Sequence, residues 1–206
     1  TASPGSDMEK IQEVTNNLFI EDIEIRTDQS EDVKPYIQQV KIDWVKVNLP
    51  PIFLEVQKYL NDFLKDRVKK LKNWGMIRRK DFDLKYITKK ELLALQAELR
   101  GRAASGERDF VLWNGISVLA EIMKMQHALE LLETQGVIPL YKYLHKMYSD
   151  SVTTKVKALK NIVKDESFKA ALIKTEKLYD EKVEHPKLIE LQKLVEKKVG
   201  EDVKII

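Results

Sequence analysis

The chain contains no cysteine, which removes disulfides, thiolate zinc sites, iron–sulfur clusters and cysteine nucleophiles in one step and fits a reducing compartment. Glycine and proline are scarce, seven and six in 206 residues, so a many-stranded fold that turns every few residues is not expected. No apolar run reaches the roughly 18 residues of a membrane span, and the first residues lack the charged-then-apolar order of a signal peptide. The expected location is therefore the cytoplasm, away from membranes. A phosphate-cradling glycine loop is missing too: Gly101-Arg102-Ala103-Ala104-Ser105-Gly106 has no lysine and falls between helical patterns instead of behind a strand. The three histidines, His127, His145 and His185, lack paired metal-ligand spacing, so no metal site is expected. His127 and Glu130 share a helical face, which reads most simply as a helix histidine hydrogen-bonded in or near the core. The acidic pairs Glu21-Asp22 and Glu31-Asp32 stand in polar sequence where carboxylates are ordinarily solvated. As an independent enzyme the chain has almost nothing to offer.

What is present is material for a core, 43% hydrophobic against 33% charged residues, arranged mostly with helical period. A short helix capped by Ser6 or Asp7 is expected, with Ile11, Val14 and Leu18 on one face. Strand-like alternation follows at Ile20, Ile23 and Ile25, and again at Val40, Ile42, Trp44 or Val45, and Val47. From Pro50 the spacing turns to three and four: Phe53, Val56, Leu60, Phe63, Val68 and Leu71 form a stripe that stops at Trp74-Gly75. Further helices are predicted from Ile87-Thr88 to before Gly101, over about 107–135, over 137–148, 152–163, 168–183 and 186–199. Gly101 to Gly106 reads as a turn. The fold class is mainly α, a multi-helix body behind a short α/β portion. The chain begins at Thr1 without Met and stops on Val203, Lys204, Ile205 and Ile206, an apolar run like the beginning of a strand, so an excised piece of a longer protein is expected.

The net charge of +3 hides an uneven distribution. Residues 1–55 carry a net of −6, residues 56–103 a net of +8, and the remainder +1. The basic block holds Lys65, Arg67, Lys69, Lys70 and Lys72 along the polar side of the first long helix, then Arg78, Arg79 and Lys80, then Lys89, Lys90, Arg100 and Arg102. Such density is the electrostatic footprint of nucleic-acid binding, because each phosphate neutralised releases counterions. The alternative is a solvated lysine-rich helix face. Trp74 either stacks on an unpaired base or packs under its helix end.

Thr1-Ala2-Ser3-Pro4-Gly5-Ser6 is similar to the third motif of superfamily-two helicases. The stretches Asp32-Val33-Lys34-Pro35-Tyr36 and Trp44-Val45-Lys46-Val47-Asn48-Leu49-Pro50, and above all His127-Ala128-Leu129-Glu130-Leu131-Leu132-Glu133-Thr134-Gln135-Gly136, resemble the archaeal Hef helicase/nuclease family. Lys204-Ile205-Ile206 resembles the start of that family's second RecA-like domain. The resemblance covers essentially the whole chain. It extends to the Fanconi anaemia M helicase and, more distantly, to RNA-sensing and dicing helicases, which carry a helical insert between two motor domains.

The resemblance implies a domain map: 1–48 as the end of the first RecA-like domain, 49–200 as a thumb-like helical insert implicated in binding branched DNA, and 201–206 as the start of the second motor domain. Thr1, Ala2 and Ser3 would then couple ATP hydrolysis to strand movement in the parent. ATP and magnesium belong to the parent, and this piece would hold no cofactor and catalyse nothing alone. Its partners would be DNA, branched by the same implication, the flanking RecA-like domains, and a possible repair protein, in a cytoplasmic, nucleoid-associated setting. The residues of the basic block would grip phosphates and leave branch recognition to shape. A protein-interaction or motor-bracing module, or the insert of an RNA-acting relative, are the alternatives.

Overall fold

A computed structural model describes residues 7–37, 42–77 and 88–199. By contacts the chain divides into two units, Thr1–Val45 and Lys46–Ile206.

The first unit holds one helix, α1 (Met8–Asn17), started as the sequence suggests: Asp7 accepts the Glu9 amide at 3.1 Å and Glu9 stands in the first turn. Beyond it come turns and a short 3-10 turn at Lys34–Tyr36. Here the α/β expectation fails among the described residues, which contain no strand. Ile23, Ile25, Ile42 and Trp44 are exposed. Alternation marks a chain that fits a pleated, half-buried surface, but a strand also needs a neighbouring strand, and among the described residues these find none; the Ile23 amide is taken up by the Asp22 carboxylate at 2.8 Å. Val40 lies outside the described residues, as do Ile87, Gly200 and the apolar close at 203–206.

The second unit is a helical bundle of α2 (Pro51–Asn73), α3 (Lys89–Ala104), α4 (Phe110–Thr134), α5 (Val137–Thr153), α6 (Lys157–Lys164), α7 (Glu166–Asp180) and α8 (Pro186–Val199). Pro50 and Pro51 open α2, and Gly75 closes it with φ +69°, its amide reaching the Lys72 carbonyl while the Met76 amide reaches Leu71. That is the paired bonding of a glycine-terminated helix. The stripe Phe53, Val56, Leu60, Phe63, Val68 and Leu71 is buried. Thr88 starts α3 with a reciprocal cap, accepting the Glu91 amide while the Glu91 carboxylate accepts that of Thr88. Gly101 does not stop α3, which continues to Ala104 before Gly106 turns the chain at φ +94°. Likewise α5 runs on to Thr153, and Asp165 starts α7 earlier than the apolar pattern implies, by accepting the Ser167 amide.

α4 is the axis of the bundle. At 25 residues it is about 37 Å long, and it packs on α2, α3, α5 and α6, while α2 also packs on α7 and α7 on α5. Because neighbours cover it on several sides, apolar period alone does not identify its inner face. His127 shows the consequence: it is half exposed, edge-on to Tyr143 with ring centroids 5.0 Å apart and Nδ1 3.6 Å from Glu130. The buried histidine is His185, set edge-on to Phe53 and accepting the Lys187 amide at Nδ1.

Burial, and then the charge of Lys187, lower the proton affinity of His185. In the unfolded chain a histidine takes its proton near pH 6.5. The stability that neutral His185 contributes is therefore present above about pH 6.5 and lost as pH falls through its lower folded-state value. Between pH 7.5 and 5.5 the melting temperature is expected to fall more for the wild type than for His185→Gln; equal slopes in calorimetry would remove His185 from the acid response.

Candidate nucleic-acid interface

The most tightly built polar feature lies where α2, α4, α6 and α7 meet. Arg67 and Glu121 are both buried, at 7% and 1% side-chain exposure. Arg67 Nε donates to Glu121 Oε2 at 2.5 Å, one terminal nitrogen lies 2.9 Å from Asp165 Oδ2, and the other bonds Asp66. The guanidinium carbon sits 4.2 Å from the centre of the Phe63 ring, and Asn161 donates to the second Glu121 oxygen at 2.8 Å. Burial works against the Arg67 charge, but the Glu121 hydrogen bond and the charges of Glu121 and Asp165 outweigh it and hold the guanidinium still more firmly protonated. For Asp66, burial is likewise outweighed by hydrogen bonds from Lys70 and Arg67, and its acidity rises.

This arrangement corrects the reading of Arg67 as a phosphate ligand. Its side chain is only 7% exposed and its donors are taken up by the carboxylates of Glu121, Asp165 and Asp66, which leaves none for a phosphate. Other members of the basic block are also matched by acids: Lys70 with Asp66 at 2.8 Å, Lys65 with Asp62 at 3.8 Å, and Arg102 in a two-pronged bond to Glu107 at 2.6 and 2.9 Å. Lys69 and Lys72 on α2, and Lys89, Lys90 and Arg100 on α3, are exposed. Arg78, Arg79 and Lys80 lie outside the described residues, as do Thr1, Ala2 and Ser3. Among the described residues the run is therefore carried by two helices, α2 and α3.

A second basic feature comes from a stretch whose charge the block sums concealed. Residues 151–164 hold four lysines and no acid. In α6, Ala158, Leu159 and Ile162 face the core, which turns Lys157, Lys160 and Lys164 outward on successive turns, with Lys155 just ahead. Lys164 joins Lys70, Trp74 and Asn161, with the carboxylates of Asp66, Asp165 and Glu166, around an open groove of about 790 Å³ of mixed charge whose floor is the Arg67–Glu121 network. Trp74 is partly exposed at the C-terminal cap of α2 and lines both this groove and a smaller one of about 410 Å³ beside Arg102 and Asp109. The amphipathic pattern Lys157-Ala158-Leu159-Lys160 is the sequence signal for this face. Among the described residues no group of three or more His, Cys, Asp or Glu side chains is placed to hold a metal, and no helix is long and apolar enough to cross a membrane.

A family model described as "Putative ATP-dependent RNA helicase, helical bundle" matches residues 52–182, that is, α2 through α7. A Methanocaldococcus jannaschii protein, likewise named as an ATP-dependent RNA helicase, is 39% identical over 91% of this chain and 22% of its own length. The ATP-dependent DNA helicase fml1 of Schizosaccharomyces pombe is 27% identical over 100% of this chain and 25% of its own. The crystal structure of the Pyrococcus furiosus Hef helicase domain superimposes with a TM-score of 0.70 at 37% identity, covering 98% of this chain and 41% of that one. The chain thus spans about a quarter of the length of these curated relatives.

Proposed function

The chain belongs to the helicase helical-bundle family, and from that premise we propose that it is the nucleic-acid-contacting insert of a superfamily-two DNA helicase, flanked in its parent by two RecA-like motor domains. The matched part is the helical bundle and not the ATPase motor. The observation that carries the reading is the outward lysine stripe of α6 beside the groove floored by Arg67 and Glu121. Lysines spaced along a rigid helix neutralise successive phosphates and fix orientation without reading bases, so a preference for forks or junctions comes from shape. Residues 1–48 and 201–206 are read as the adjoining edges of the motor domains. ATP and magnesium are read as cofactors of the parent's motor domains, since this sequence carries no phosphate-cradling glycine loop.

Replacing Lys155, Lys157, Lys160 and Lys164 by Ala is expected to weaken binding to forked, junction, duplex and single-stranded DNA alike. It should also flatten the dependence of log K on log salt by about 0.9 for each duplex phosphate that is no longer neutralised. Competition between forked DNA and duplex RNA separates a DNA insert from that of an RNA-acting relative. An unchanged salt slope in the lysine variant would transfer the role to bracing or protein docking. A specific observation favours that second reading for α8: beyond its first turn, where Lys187 reaches the Glu133 carbonyl, α8 packs on none of the other described helices, and Leu188, Leu191, Val195 and Val199 are exposed along it.

A further inference from the structure

We infer that Phe110 and Trp113 form a stacking platform for unpaired bases at the N-terminal end of α4, a role resting on the phosphate-binding reading of the α6 lysines. The two rings stand one helical turn apart on a common face, 76% and 54% exposed. Large aromatic side chains left open to water are costly, and two on one face mark a surface that something covers.

The surrounding chemistry selects the occupant. Lys157 Nζ lies 5.8 Å from the centre of the Phe110 ring and donates to Asn114 Oδ1 at 2.8 Å, and the Asn114 amide in turn donates to the Phe110 carbonyl at 3.0 Å. The first turn of α4 is thereby tied to the first turn of α6, and the rings sit at the head of the lysine stripe. Segments 108–114 and 152–164 together carry five cations, Arg108, Lys155, Lys157, Lys160 and Lys164, against one acid, Asp109, which is engaged in capping α4. A protein partner with an apolar face would have to strip water from those cations without replacing it. A single strand satisfies both features, phosphates on the lysines and bases on the rings, as in sequence-tolerant single-strand binders. From Lys157 to Lys164 the helix rises about 10 Å, the length of about three nucleotides stacked at 3.4 Å each.

The test uses the whole chain and short oligothymidylates, intact or abasic at the same length, plus a strand carrying 2-aminopurine. The wild type is expected to bind the intact strand about tenfold more tightly than the abasic one, the contribution of about one stacked base, and to quench 2-aminopurine fluorescence. Phe110→Ala with Trp113→Ala should abolish that preference and the quenching, keep the affinity for the abasic strand, and leave the melting temperature in place because both rings are exposed. Phe110→Tyr with Trp113→Phe should restore the preference. Equal wild-type affinity for intact and abasic strands overturns the platform while sparing the phosphate reading. Absence of binding to either overturns both. Self-association that depends on the two rings, without a base preference, would make the patch a protein contact and likewise overturn it.

Discussion

Arg67→Ala is expected to destabilise the bundle by about 3–5 kcal/mol, the range for removing one partner of a buried ion pair. The magnitude comes from what stays behind. Glu121 is 1% exposed on the central helix and would keep only the Asn161 hydrogen bond on its other oxygen, with its paired cation gone. The loss also reaches the α6–α7 corner, because Asp165 pairs with Arg67 through Oδ2 while Oδ1 caps α7. Asp66 and Asp165 are 50% and 20% exposed and can recover water, which confines most of the penalty to Glu121. Arg67→Met combined with Glu121→Leu should therefore return most of the stability, since apolar replacement of both partners removes the desolvation cost together with the attraction. Urea unfolding of the wild type, Arg67→Met, Glu121→Leu and the double variant gives the coupling energy directly. A loss below about 1 kcal/mol for Arg67→Ala would place the pair among surface salt bridges and deprive the groove of its rigid floor.

How much of this is readable in the sequence follows from the physics of each element. The stripe of α2, its stop at Trp74-Gly75 and the helix start at Thr88 depend on neighbours in sequence, and these features stand where the pattern puts them. The strands depend on partners elsewhere, and alternation at Ile23, Ile25 and Ile42 carries no information about whether a partner exists. Gly101 is a weak stop signal because a helix interior tolerates glycine at about 1 kcal/mol. Arg67 misleads when lysines and arginines are counted by density. Read by register it does not: position 67 continues Phe63 and precedes Leu71 at four-residue steps, and Glu121 lies between Val118 and Met125 at three and four. A charge in the apolar register of each of two helices is the sequence mark of a buried pair, and it is present in both. The α6 lysines are masked by summation, because acids before and after them in residues 104–206 cancel them in the total, although 151–164 itself holds none.

Gly136→Ala is expected to cost about 3 kcal/mol, for two reasons that add because they act on the same atom. Gly136 joins α4 to α5 at φ +92° and ψ −160°, a backbone region essentially confined to glycine, where a side chain costs of order 1–3 kcal/mol. A Cβ there would also fall 2.9 Å from His185 Cβ and 3.2 Å from its Cδ2. His185 cannot swing clear at little cost, since its ring is buried against the edge of Phe53 and its Nδ1 holds the Lys187 amide at the start of α8. The strain should appear as a lower melting temperature and as earlier hydrogen exchange at residues 185–189, where α8 leaves the bundle. Gly101→Ala is the matched control. That glycine lies inside α3 with nothing within 4 Å of its added Cβ, so the same substitution should stabilise by about 0.5–1 kcal/mol. Opposite signs for one chemical change would locate the cost at the α4–α5 corner. A loss at Gly136 no larger than a few tenths of a kcal/mol would mean that the corner relaxes and that His185 does not fix the departure of α8.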